Sequence, residues 1–346
     1  MQRRSLRVAV VGVGHMGRHH ARIYSELQGC ELVAVIDKDI GRARKIASQH
    51  GGEAFADLAD FAGTIDAATV AVPTVFHAEV AIPLIERGVA VLVEKPLAPD
   101  TASAKQLVSA AQKSGSVLQV GHSERFNPVV QAMLRMEVTP RFIETQRVSP
   151  FTFRSADIGV VFDMMIHDID IVLHMVGQSA CSVDAVGVNV LGPREDIANA
   201  RLRFSDQTVA NLTASRLALK TERKIRVFCP SAYISMDFQT KSGLAVKLAD
   251  NLDLIRMARE KNFEDLSQFA AADFTSAMKI EPLQVDDVEP LRAEIGAFLE
   301  SVRTGQGTGV TAEEGCAAVA LAERITNSIA EQDWGSQLDT AGIAGP

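Results

Sequence analysis

Between residues 7 and 120, short apolar runs alternate with longer amphipathic stretches. The apolar runs close near residues 11, 36, 72, 93 and 120, and each has strand length. Between them, apolar positions at three- and four-residue spacing predict helices over 17–27, 40–50, 77–87 and 101–114. Gly88 closes the third of these helices. Strands alternating with helices imply βαβ units and a doubly wound parallel sheet.

Past His122 the pattern changes. A linking helix is predicted over 127–135, a strand over 141–149 and a helix over 158–176. Further strands follow at 183–190, 200–204, 208–217, 224–228 and 233–238, several of them rich in β-branched residues. Ser205-Asp206-Gln207 reads as a hairpin turn. This is an α+β region with a largely antiparallel sheet. Residues 252–278 are charged and helix-prone, as an inserted lobe or lid would be. Two amphipathic helices are predicted at 291–303 and 313–330. The expected organisation is a Rossmann nucleotide domain over 1–123, a substrate-binding and oligomerisation domain over 124–334, and a flexible tail over 335–346. Strands 200–204 and 208–217 carry apolar residues at both parities, which predicts an exposed apolar face and a homodimer or homotetramer packed through it.

Composition narrows the function. The formal net charge is −8, which argues against nucleic acid or an anionic membrane as partner. No apolar run is long enough to span a bilayer. The charged start leads straight into a strand, so no signal peptide is expected. Cys30, Cys181, Cys229 and Cys316 lie far apart, which fits a reducing cytoplasm better than a disulfide framework.

The first strand breaks into Gly12-Val-Gly14-His15-Met16-Gly17, a G-x-G-x-x-G turn between strand and helix. Gly12 permits the tight turn, Gly14 lets backbone approach a pyrophosphate, and Gly17 lets the helix pack closely. The free N–H groups at the start of that helix suit the pyrophosphate. Asp37, closing the second apolar run, is placed to accept from a ribose 2′-OH. It would repel a 2′-phosphate, so NAD is expected over NADP, although the neighbouring Lys38 could tolerate that phosphate. His15 lies inside the phosphate turn, whereas His19 and His20 read as exposed helix residues.

Gly12, Asp37, Pro73 and Lys95 each follow a strand and should converge on one crevice. Lys95, in Glu94-Lys95-Pro96, would there stabilise a developing alkoxide; the alternative is an exposed loop lysine. Asp163, His167, Asp170 and His174 share one stripe at helical spacing. Asp163 would orient His167 as a general base. A metal site of Asp163, His167 and His174, or a capped helix start with a core histidine, are the other readings. His77 either touches cofactor or starts a helix. Arg125 and Asn127 stand at the domain seam, either on substrate or in a hinge-stabilising ion pair.

Taken together, Val11-Gly12-Val-Gly14-His-Met-Gly17, Ala71-Val-Pro73-Thr74-Val-Phe-His77, Glu94-Lys95-Pro96, Arg125-Phe-Asn-Pro128 and Asp163-x-x-x-His167-x-x-Asp170 resemble the glucose–fructose oxidoreductase/inositol dehydrogenase/MocA family. Glu289-Pro-Leu291 and Thr311-Ala-Glu313-Glu-Gly315 are also similar. The resemblance implies reversible NAD(P)-linked oxidation of a sugar or polyol hydroxyl. It implies a cis Lys95–Pro96 bond and catalytic roles for Lys95, Asp163 and His167, with no metal. By the same resemblance Met16, Pro73, His77 and Glu94 join the cofactor set, and the second sheet forms the oligomer contacts. The chain departs from the family at Val160-Val161-Phe162 and Met165, which replace a small, Gly-rich stretch and crowd the pocket floor. Within the family, 149–154 and 164–170 look most like the branch that oxidises C3 of UDP-N-acetylglucosamine; free-polyol oxidation and a non-catalytic nucleotide-sensing module are the alternatives. On that branch Arg125 and Arg154 would hold the diphosphate, because a guanidinium fork matches phosphate oxygens.

Overall fold

The computed structural model describes residues 4–152, 158–191, 193–248 and 278–332. Arg154, the 252–277 lobe and the 335–346 tail lie outside the described residues.

Six parallel strands form the first sheet: β1 (Leu6–Val11), β2 (Cys30–Ile36), β3 (Glu53–Phe55), β4 (Ala67–Val70), β5 (Ala90–Glu94) and β6 (Leu118–Gly121). Their order is β3-β2-β1-β4-β5-β6, so the winding reverses where β1 meets β4. Helices α1 (Gly17–Glu26), α2 (Ile40–His50), α3 (His77–Glu86) and α4 (Thr101–Ser114) make the crossovers. Covered on both faces, the central strands are apolar throughout: Val8, Ala9, Val10, Val91, Leu92 and Val93 are fully buried. A crevice at the reversal point is where such sheets bind ligands, beyond the carboxyl ends of the strands.

A short helix, α5 (Pro128–Leu134), leads into the second sheet. Its strands are β7 (Phe142–Val148), β8 (Ser182–Val188), β9 (Ile197–Arg203), β10 (Val209–Ser215), β11 (Glu222–Phe228), β12 (Ala232–Asp237), β13 (Ser242–Leu248) and β14 (Met278–Pro282). Their order is β14-β13-β12-β11-β7-β10-β9-β8. β7 and β10 run parallel, and every other pairing among the described residues is antiparallel. The expected turn at 205–207 joins β9 to β10, with Gln207 at φ 70. β13 and β14 went unpredicted: their stretches carry charge and glycine, and they are held as strands by pairing rather than by a strong pattern of their own.

One face of this sheet buries Ala198, Ala200, Leu202, Ala210, Leu212 and Ala214 against α6 (Ile166–Val176) and α8 (Ala312–Ala330). A π turn, Val161–Met165, precedes α6 and interrupts the helix expected over 158–176. The outer face differs from expectation. On β9 and β10 it presents Asn199, Arg201, Asn211 and Thr213, so these two strands alternate cleanly. Apolar outer positions instead form one row across six strands, Ile280–Val246–Tyr233–Phe228–Phe142–Val209, each directly opposite the next. Ile280 is 66% exposed and Phe228 38%.

The last helices bind the two domains together. α7 (Pro290–Thr304) buries Leu291, Ile295, Phe298 and Leu299 among Val8, Val10, Tyr24 and Leu92 of the nucleotide domain. α8 begins with a Thr311/Glu314 capping box and packs on both α4 and α6.

Candidate active site

The residues flagged after strands do gather on one rim. Gly12 follows β1, Asp37 follows β2, Pro73 lies just past β4, Lys95 follows β5 and His122 follows β6. Gly12 sits at φ 85, and a Cβ there would meet the Val72 nitrogen at 2.7 Å. A Cβ on Gly17 would strike the Gly12 carbonyl oxygen. Gly14, by contrast, has nothing within 4 Å of its Cβ position. Crowding below the loop and open space above it are what a backbone cradle for a pyrophosphate requires. The first turn of α1 has neither a side-chain cap nor an acidic residue, so no side chain competes with an anion at this helix end. Met16 takes the N-cap position and His15 is exposed beside it. Asp37 accepts from Val13 N–H and Asp39 N–H, both at 2.9 Å, so the carboxylate is fixed against the glycine loop. Arg42 stands 3.3 Å from it, and Lys38 lies over the Phe76 ring instead of facing Asp37. These residues fit NAD.

Lys95 meets the second domain through Asp163. Its bond to Pro96 is cis. Its ammonium donates to the Asp163 carbonyl oxygen at 2.7 Å and lies 3.6 Å from the Asp163 carboxylate. Burial lowers the Lys95 pKa, and the Asp163 and Glu94 carboxylates oppose that shift. Asp163 therefore serves Lys95. It makes no hydrogen bond to His167, contrary to the helical spacing. A π turn at Val161–Met165 holds Asp163, and His167 lies past it in α6, so regular α-helical winding does not set their relation.

His167 has its Nδ1 buried and without a partner. Its pKa falls well below the ordinary histidine value, chiefly through burial and then through Lys95 and Arg147. It is therefore a neutral imidazole near neutral pH, able to accept a proton. The metal reading does not assemble, because His174 turns to Glu314 and Arg125.

Several flagged residues are engaged by contacts within the protein. The Arg125 guanidinium pairs with Asp170 and Glu314, Nε reaching Asp170 Oδ2 at 3.0 Å. The seam thus carries a buried ion pair, and in this structure carboxylates occupy the guanidinium fork. Asn127 caps α5 through Val129 N–H and donates to Glu124. His77 is buried with its ring nitrogens 3.0 Å from Pro96 O and 2.9 Å from Val72 O, clamping the loops after β4 and β5 together. Glu94 points inward and accepts from Lys95 N–H and His20 Nε2. His20, expected on the surface, is fully buried, because α1 turns this face onto the sheet. Sequence reasoning passed over His122, although it carries the same signal as Asp37 and Lys95: a polar residue immediately after a strand of the parallel sheet.

Comparison with known proteins agrees with this geometry. Residues 6–122 match the NAD-binding Rossmann fold of the oxidoreductase family, and residues 131–235 match the GFO/IDH/MocA C-terminal domain. The UDP-N-acetylglucosamine 3-dehydrogenase of Acidithiobacillus ferrooxidans is 37% identical over 234 residues, 67% of this chain and 74% of that one. A solved structure of an enzyme of that name from the same organism superposes with a TM-score of 0.82 at 30% identity, covering 94% of this chain and 98% of the other. Inositol 2-dehydrogenase 4 of Saccharopolyspora erythraea is 29% identical over 336 residues, 93% of each chain. The chain belongs to the Gfo/Idh/MocA family of oxidoreductases, NAD-dependent enzymes acting on CH–OH groups.

Proposed function

We propose that this protein oxidises a secondary hydroxyl of a sugar, and that its substrate is UDP-N-acetylglucosamine, oxidised at C3. The observation that carries the oxidation is Lys95, held on Asp163 just after β5, within electrostatic reach of a neutral His167. The substrate rests on similarity to the 3-dehydrogenase, which is higher in identity than that to the inositol enzyme.

Held by the Gly12–Gly17 loop and Asp37, NAD would supply the acceptor for a hydride from the carbinol carbon. The protein's part is to hold the hydroxyl and take its proton. Lys95, steered by Asp163, donates a hydrogen bond to the hydroxyl oxygen and stabilises negative charge as it develops there. His167 Nε2 accepts the proton. Buried ion pairs, Arg147 with Asp168 and Glu124 and Arg125 with Asp170, fix α6 against β7 and the turn that follows β6, so the base keeps its position. The cytoplasm suits this reaction: no helix among the described residues is long and apolar enough to cross a membrane, and the four cysteines are free.

Following NADH absorbance with UDP-N-acetylglucosamine, free N-acetylglucosamine and myo-inositol tests the proposal. Turnover confined to the nucleotide sugar supports it. Turnover on inositol alone moves the protein to the free-polyol reading, and no turnover on any sugar or polyol refutes the oxidation.

A further inference from the structure

A catalytic imidazole needs its non-reacting nitrogen held, because that bond decides which nitrogen carries the proton. His167 has three carboxylates on neighbouring positions, and none is free to do this. Asp163 pairs with Lys95, Asp168 with Arg147, and Asp170 with Arg125. The Nδ1 atom of His167 is buried and has no partner.

His122 is the other histidine at this place. It is fully buried at the end of β6, and neither of its ring nitrogens has a hydrogen-bond partner. Its ring stands edge-on to His167, with centroids 6.3 Å apart and planes at 89°. Lys95, Glu94, Asp170 and Arg125 face His122; Lys95, Arg147 and Arg223 face His167. Burial keeps both rings neutral, so each has one donor and one acceptor. A buried polar group left unpaired is destabilising. Three such nitrogens on two facing rings mark a site for a bridging polar molecule. The rings are too far apart for a direct bond, and a water with two or more polar partners suits such a position.

We propose that His122 is a positioning residue for His167, acting through one buried water. His167 Nδ1–H donates to the water, and the water donates to a His122 nitrogen. His167 Nε2 is thereby left unprotonated and faces the substrate hydroxyl. His122 itself touches neither substrate nor cofactor. The role of His167 as base rests on the proposed function; the tautomer does not.

The test compares wild type with His122→Phe and His122→Asn, each saturated with NAD. Side-chain ¹⁵N NMR reads the His167 tautomer without any substrate. Wild type should carry the proton on Nδ1. In His122→Phe that preference should be lost, with kcat down roughly 10- to 100-fold, the usual cost of losing an orienting partner. KM and NAD affinity should move less than twofold. His122→Asn, which keeps a hydrogen-bonding group, should recover part of both readouts. An Nδ1-protonated His167 that persists in both variants overturns the proposal, as does a wild type protonated on Nε2. Should the phenylalanine variant fail to fold, a His122→Asn tautomer and kcat identical to wild type would also overturn it. A wild type inactive on every sugar sinks the proposed function and leaves the tautomer result standing.

Discussion

The Lys95 ammonium is bound to the backbone carbonyl of Asp163 at 2.7 Å while the carboxylate of the same residue lies 3.6 Å away. One residue of the second domain thus grips a lysine of the first, the one we propose as the alkoxide stabiliser, with two different groups. Removing the charge and keeping the carbonyl separates them. Burial lowers the Lys95 pKa and Asp163 counters it, so Asp163→Asn should lower it further. Lys95 acts as an ammonium donor, and so the alkaline limb of the kcat/KM profile should move to lower pH. An unmoved alkaline limb would show that the carboxylate does not reach the lysine in solution.

His167→Ala should reduce kcat/KM by roughly 10²–10⁴, the usual range for losing a general base. NAD affinity should barely change, since the residue stands in the other domain. Rising pH should restore part of the rate as more substrate hydroxyl ionises unaided. Near wild-type kcat in this variant at neutral pH would move the proton transfer to Lys95.

Cofactor choice should follow Asp37. The enzyme should use NAD in preference to NADP, and Asp37→Ser should narrow the gap by freeing Arg42 for a 2′-phosphate. Steady-state kcat/KM with each cofactor decides this; a wild type that prefers NADP contradicts it.

Glu294, on α7, is buried beside Glu94, and neither of its carboxyl oxygens has a partner. Burial and the Glu94 charge raise its pKa well above the ordinary carboxylate value. The native state therefore holds a proton that the unfolded chain releases above its own pKa. Stability should fall as pH rises above the ordinary glutamate value toward the raised one. Glu294→Gln removes that dependence. The variant should melt higher than wild type at neutral to alkaline pH and match it at acidic pH. Equal melting temperatures throughout would show that Glu294 is not held protonated.

The apolar row on the outer face of the second sheet should be covered in solution. A homodimer or homotetramer is expected by light scattering at micromolar concentration, and Phe228→Glu, at the middle of the row, should dissociate it. A monomeric wild type would leave the row to another role.

The nucleotide half was legible in its long strands and glycine turn, but not in the short edge strand β3 or in the burial of His20. Strands buried on both faces leave unbroken apolar runs, and a parallel sheet must place the residues after them on one rim. Gly12, Gly14, Gly17, Asp37 and Lys95 could thus be brought together before any coordinates. His167 and Asp163 were legible as chemistry, from residue type and helical spacing. Their partners were not. The π turn that carries Asp163 leaves no periodic mark, and Asp163 is found on Lys95. Arg125 looked equally ready for a phosphate or an ion pair, and only packing α6 and α8 against the seam gave it to Asp170 and Glu314. His20 and Glu294 are far apart in the chain and polar, so nothing local marks them as buried neighbours of Glu94. Local pattern determines which segments fold and where a parallel sheet presents its loops. Which charge meets which is decided by long-range contacts, because a buried ion takes whatever partner the packing brings within reach.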